Sequence, residues 1–230
     1  MSVPFYVSPE QLMQDRADFA RKGILRGRAV VALSCPAGIV LVAENRSPSL
    51  HKVSEIYDRI GFVAVGRYNE FEALRIAGIR QADLRGYSYD RRDVTARSLA
   101  GSYSQLLGAA FAGAEKPYEV GLVVAELGME HSGDVFFHVS YDGTIGEHGS
   151  YAVLGRDSED IGARLRAGLL EAVVPLDLPA AVRLARGALT EDGPLTAETL
   201  EVAVLDRAVP TRRTFRRVSG EMLTDWLAGR

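Results

Sequence analysis

Apolar positions along this chain come in short runs of strand length and in longer stretches of helical spacing, and like elements cluster together. Ser8-Pro9-Glu10-Gln11 predicts the first helix, with Ser8 as N-cap, Pro9 in the first turn and Gln11 closing a capping box. Leu12, Met13, Ala17, Phe19 and Ala20 give that helix an apolar side, and Gly23 ends it. Two strands follow at about 28–34 and 39–43, then two more at 54–57 and 62–65. A helix pair comes next, 69–84 and 93–111, with Asn69 and Asp93 as N-caps. In the second of these, Leu99, Tyr103, Leu106, Leu107, Ala110 and Phe111 recur at helical spacing. Strands are expected at 119–127, 135–141 and 144–154, the last two joined by Asp142-Gly143 as a two-residue hairpin turn. Helices at 159–173 and 179–189, strands at 200–205 and 214–218, and a short helix capped by Ser219 complete the chain.

The grouping decides the fold class. Strands in adjacent hairpin-like runs, with helices in pairs between the runs, do not fit alternating parallel β/α units. A four-layer α/β/β/α sandwich of two stacked, mostly antiparallel sheets, with an extra N-terminal helix, satisfies the order. No repeat or linker interrupts it, so one domain is expected over 1–230: a tail at 1–7, a helix at 8–23, the sandwich at 28–218 and a C-terminal helix at 219–228.

Composition narrows the setting. The chain has 230 residues, 47% hydrophobic and 25% charged, with a net charge of −3, which argues against nucleic acid or an anionic membrane as its main partner. The most apolar stretch, 29–43, is broken by Pro36 and Gly38, whereas a spanning helix needs roughly 20 uninterrupted apolar residues. With no secretory leader and a single cysteine, Cys35, the expectation is a soluble cytoplasmic protein.

Residues 51–72 carry the most informative chemistry: Lys52 leads into an apolar strand that ends at Gly66, so a cation stands at a sheet edge with no nucleophile beside it. Cys35, at a strand end before Pro36 and with no evident charge nearby, reads as a buried structural thiol. A two-residue turn at Asp142-Gly143 pairs His138 with Glu147 and Phe137 with His148, which puts the two histidines on opposite faces. No metal and no cofactor are therefore expected. Gly61 and Gly66 have P-loop spacing, but strand residues lie between them and Arg67-Tyr68 follows where Lys-Ser/Thr belongs. Arg212, Arg213, Arg216 and Arg217 read as a solvated or interface strand in an acidic chain.

The segments 6–24 (YVSPEQLMQDRADFARKGI), 54–71 (SEIYDRIGFVAVGRYNEF) and 87–100 (YSYDRRDVTARSLA) carry a resemblance, continued by KPYEVGLVVAEL, SYDGTI and LEVAVLD. With this architecture the chain resembles α-type subunits of the bacterial proteasome core particle, members of the N-terminal-nucleophile hydrolase fold. The likeness runs over nearly the whole chain in the expected order. It departs from archaeal and eukaryotic α subunits, which carry tyrosine-aspartate-arginine and aspartate-glycine-arginine motifs before the first helix. Only Ser8-Pro9 survives here, so the gate contacts of those branches do not transfer.

The resemblance implies a subunit without its own nucleophile. Catalytic β-type subunits expose an N-terminal threonine whose hydroxyl is activated by its own amine and a nearby lysine. The corresponding stretch here, 22–31, holds no threonine, serine or cysteine, and the only Gly-Thr pair, Gly143-Thr144, is a hairpin turn. The implied partners are β-type subunits, identical α subunits in a seven-membered ring, a hexameric ring ATPase docking through its C-terminal tails, and protein substrates passing the pore. Lys52, with Gly66 beside it, would line the pocket that receives the ATPase carboxylate; the other reading is a surface lysine without a role. Phe5, Tyr6 and Val7, leading into Ser8 and Pro9, would form the gate, or else a simple flexible terminus. Two rivals stand beside this expectation: an active hydrolase matured at an unrecognised site, and a self-assembling binding protein of the same fold.

Overall fold

The computed structural model describes residues 8–113, 116–190, 193 and 195–229. Its elements are α1 (Pro9–Leu25), β1 (Val30–Cys35), β2 (Gly38–Glu44), β3 (Val53–Tyr57), β4 (Ile60–Gly66), α2 (Tyr68–Ser88), α3 (Ala96–Ala112), β5 (Val120–Glu126), β6 (Val135–Val139), β7 (Ile145–His148), β8 (Tyr151–Leu154), α4 (Ser158–Glu171), α5 (Leu178–Leu189), β9 (Leu200–Asp206), β10 (Phe215–Val218) and α6 (Gly220–Ala228). One five-stranded sheet has the order β10-β9-β2-β1-β8 and the other β3-β4-β5-β6-β7. Every neighbouring pair in both is antiparallel.

The strands are apolar at nearly every position because both faces of each sheet are covered, and the period of two sorts their side chains into separate layers. Val30, Ala32, Ile39 and Leu41 of the first sheet meet Val63, Val65, Val123 and Ala125 of the second between the sheets. Their neighbours Val31, Leu33, Val40 and Val42 turn outward to Ile161 and Leu165 of α4 and Val182 and Ala185 of α5. On the far side, Phe62, Ala64, Leu122 and Val124 pack against Leu74 of α2 and Leu99, Tyr103 and Leu107 of α3. The result is the α/β/β/α sandwich expected from the order of elements.

Local boundaries differ where tertiary contacts outweigh the local pattern. Ser8 caps α1 by accepting from the Gln11 amide (3.2 Å), but the Gln11 side chain turns to Asp15 and no reciprocal box forms. Gly23 does not end α1; it lies buried within the helix, where a Cβ would overlap the Glu119 side chain. The N-cap of α2 is Arg67 rather than Asn69, its amide fixed to the Glu119 carbonyl of the neighbouring strand (3.0 Å). Thr95, not Asp93, caps α3, because Asp93 is taken by a reciprocal capping pair with Asp90 around a 3₁₀ turn.

The largest correction concerns 144–154, which is two strands rather than one. β7 pairs with β6 in the second sheet and β8 with β1 in the first, the chain changing sheets at Gly149-Ser150. The preceding hairpin has a three-residue loop, Tyr141-Asp142-Gly143, closed by Ser140 N–H to the Thr144 carbonyl (2.9 Å). Gly143 sits at φ +85, and its carbonyl accepts from Ser104 of α3 (2.5 Å), while Tyr141 is drawn into a cluster with Ala17 and Ala20 of α1. Helix packing therefore selects the longer loop, and the register slips by one. Phe136 faces His148 and His138 faces Gly146, so the two histidines share a face instead of lying on opposite ones.

Candidate functional site

The β3–β4 hairpin returns the chain to the point where it enters, so Lys52 and Gly66 lie together at one end of the second sheet. The Ala64 amide donates to the Lys52 carbonyl (3.1 Å), and Gly66 is two residues further along the same strand. The entrance to β1 passes the same point: a Cβ at Gly27 would stand 3.3 Å from the Gly66 nitrogen.

Lys52 is half-buried, and its ammonium donates to two backbone carbonyls, those of Arg28 (2.9 Å) and Glu44 (3.1 Å). An ammonium has three donors, so the third is left for a further acceptor. Burial pushes the Lys52 pKa down to about 8, opposed by the Glu201 carboxylate and reinforced by the Arg28 guanidinium. Arg28 and Glu44 are themselves joined by an ion pair. They also border a cavity of about 150 Å³ that Arg46, Arg156 and Asp157 help to line.

The residue that organises this end of the sandwich is Glu201, at the start of β9, which is 8% exposed. Its carboxylate accepts from the amides of Lys52 (2.9 Å) and Val53 (3.3 Å), from the Asn45 side chain (2.8 Å) and from the Arg217 guanidinium (2.7 Å), and it contacts the His51 ring (3.1 Å). Sequence reading did not single out Glu201. A signal was present: it shares strand parity with Ala203 and Leu205, which face the inter-sheet core, and an acid on such a face must be paired.

Gly66 has a structural reason of its own. At φ +122 it occupies a conformation that L side chains rarely adopt, and a Cβ there would lie 1.8 Å from the Glu119 carbonyl oxygen at the entry to β5. Gly66→Ala is expected to lower stability by at least about 1–3 kcal/mol from backbone strain alone, read as a lower thermal midpoint.

The remaining candidates separate cleanly. Cys35 is buried, and burial pushes its thiol pKa up, but Asp134 and Arg207 stand close enough to act on it, so the expected absence of nearby charge is corrected. His138 and His148 both line a groove of about 620 Å³ between β7, β8 and α4, and burial lowers the His138 pKa, with His148 adding to the effect. Among the described residues, no group of three or more His, Cys, Asp or Glu could hold a metal ion. Of the basic run, Arg213 pairs with Glu55, Arg216 with Asp206 and Arg217 with Glu201. Ser8 and Pro9 open α1, whereas the gate residues Phe5, Tyr6 and Val7 lie outside the described residues. Among the described residues, no helix is long and apolar enough to cross a membrane.

Two stacked antiparallel sheets between helix pairs, with the Lys52 ammonium held by the carbonyls of Arg28 before the first strand and Glu44 at the end of the second, define a four-layer α/β/β/α sandwich. The family model described as "Proteasome subunit" matches residues 24–205, and the chain belongs to that family. It is 54% identical to "Proteasome subunit alpha" of Kineococcus radiotolerans, over all of this chain and 99% of that protein. The protein of the same name from Jonesia denitrificans is 55% identical over 95% of this chain and 94% of its own length. That of an Arthrobacter species is 52% identical over 99% of both. Within the family the chain is an α-type subunit and is not itself the protease.

Proposed function

We propose that this chain forms a non-catalytic ring of the proteasome core particle, assembles with β-type threonine-protease subunits, gates substrate entry and docks a ring ATPase. One observation carries the reading: Lys52 is held by the carbonyls of Arg28 and Glu44, with no hydroxyl or thiol among the acceptors, and keeps a donor for an incoming anion. A lysine so placed is suited to receive a partner's C-terminal carboxylate through a charge-assisted hydrogen bond of roughly 1.5–3 kcal/mol, with apolar contacts from the tail supplying the rest.

Co-expression with the β-type subunit of the same cell tests assembly. A native mass corresponding to stacked rings, with peptidase activity only in the complex, is the expected result. Intact mass of this chain tests the absence of self-processing: loss of roughly the first 25 residues with a new nucleophilic N-terminus would overturn the reading. The apolar segment Met1 to Val7 supports a gate, because identical tails meeting at a ring axis would exclude polypeptide. Deleting residues 1–7 is expected to raise basal peptide hydrolysis by the complex several-fold, and no rise would remove the tail from the gating mechanism.

A further inference from the structure

We infer that Glu201 is the positioning residue of the docking site: it holds the 45–53 segment in the one conformation that presents the Lys52 ammonium to a partner's carboxylate. The inference rests on the docking role proposed for Lys52 and goes beyond it by assigning a second residue, on a different strand.

The argument starts from where the backbone groups of this segment find partners. The connection between β2 and β3 leaves the first sheet at Glu44 and enters the second at Val53, so no strand ladder spans it. Unpaired amides there would be costly, and one carboxylate satisfies two of them, at Lys52 and Val53. The same carboxylate accepts from Asn45, at the other end of the segment. Asn45 in turn donates to the Leu50 carbonyl (2.7 Å) and accepts from the Ser47 amide (2.9 Å), which closes the loop on itself. Arg217 of β10 braces the arrangement from the far side by bonding both Glu201 (2.7 Å) and the Val53 carbonyl (2.7 Å).

Lys52 is thus fixed at its amide by Glu201, at its carbonyl by Ala64 and at its ammonium by Arg28 and Glu44. Only the first of these anchors is a side chain, and it is the one that mutation can remove. The carboxamide introduced by Glu201→Gln could not replace it. A glutamine offers one acceptor oxygen and two donor hydrogens, while the atoms around the carboxylate are mainly donors, so one side would face N–H against N–H. Charge matters in addition. The groups facing the Lys52 ammonium are Glu201 from β9, Arg28 before β1 and Glu44 at the end of β2, with His51, Arg46 and Arg217 around the two acids. Removing the Glu201 charge leaves Arg28 less opposed and makes the ammonium easier to deprotonate.

The test uses the whole core particle, with the β-type subunit, and a peptide copying the C-terminal tail of the ring ATPase in free-acid and amidated forms. Glu201→Gln is expected to weaken binding of the free-acid peptide about tenfold, the scale of one charge-assisted hydrogen bond, and to change the weak binding of the amide little. The double variant Lys52→Ala/Glu201→Gln is expected to bind no more weakly than Lys52→Ala alone, because both act through one ammonium. In Glu201→Gln the alkaline loss of binding moves to lower pH, a shift that a merely structural role would not produce. Full affinity in Glu201→Gln, or losses that add in the double variant, would overturn the positioning role while leaving docking at Lys52 intact. Unchanged binding in Lys52→Ala would instead remove the docking reading itself, and this inference with it. If Glu201→Gln does not assemble, Glu201→Asp takes its place. It keeps the charge but draws it back by one methylene, so weaker binding with an unmoved alkaline limb is expected, and wild-type affinity would overturn the role.

Discussion

Lys52→Ala is expected to reduce ATPase-dependent protein degradation by the assembled core particle roughly ten- to a hundredfold, the consequence of losing a contact of about 1.5–3 kcal/mol. If several tails of a ring ATPase engage one ring as proposed, the loss at each site compounds through effective concentration, and the effect on a whole ATPase exceeds that on a single peptide. In the proposed arrangement, hydrolysis of small peptides by the β-type subunits does not pass through this contact and serves as the internal reference. Titration supplies a second measurement on the same residue. The folded pKa of Lys52 is lowered from 10.5 to about 8, so the ammonium is present below that value and lost as pH rises through it. The carboxylate of a docking tail stays ionised throughout that range, so docking should hold at neutral pH and weaken above about pH 8. Undiminished degradation in Lys52→Ala, or docking that persists unchanged as pH rises well past the lysine's pKa, would sink the assignment.

The second large effect lies at the opposite end of β1. Asp134 has a fully buried side chain, and it accepts from the Ser34 hydroxyl (2.6 Å), the Gly128 amide (2.9 Å) and the Arg207 guanidinium (2.8 and 3.0 Å). Arg207 and Arg59 both donate to the Gly128 carbonyl (2.5 Å each), so two guanidinium groups converge beside the Asp134 carboxylate, with Glu126 also acting on Arg59. Burial and the proximity of Arg207 both lower the Arg59 pKa, with Asp134 acting in the other direction. Asp134→Ala removes that compensation and leaves buried positive charge, at a cost of roughly 3–5 kcal/mol. For a chain of this length that corresponds to a fall in thermal midpoint on the order of 10 °C. A combined Asp134→Leu/Arg207→Met variant should lose less than Asp134→Ala alone, because it removes the charge that would otherwise stand unpaired. A single variant as stable as the native chain would show that the buried pair does not hold the two sheets together.

The two ends of β1 illustrate what a sequence discloses and what it withholds. Lys52 and Gly66 were legible because each has a local signature, a cation before an apolar run and a glycine after it. Glu201 and Asp134 have none: each is one acid among many, and its meaning comes from donors supplied by residues far away along the chain. The histidines give the complementary case. Asp142-Gly143 carries a strong two-residue turn signal, yet Ser104 of α3 and the cluster around Tyr141 favour a three-residue loop. That one-residue difference brings His138 and His148 onto one face. For the same reason the stretch 144–154 read as one strand, since nothing local to Gly149-Ser150 says that the chain is about to change sheets.

By itself the sequence determined the kind and order of elements, miscounting only where one expected strand at 144–154 is two, because hydrophobic period and capping residues act over a few positions. That order sufficed for the layered sandwich, and the empty nucleophile stretch at 22–31 was visible in it as well. The tertiary structure alone decided register, helix starts and the surroundings of Lys52. These depend on which carbonyls, carboxylates and guanidinium groups meet across the sheets, and such meetings have no counterpart in local spacing.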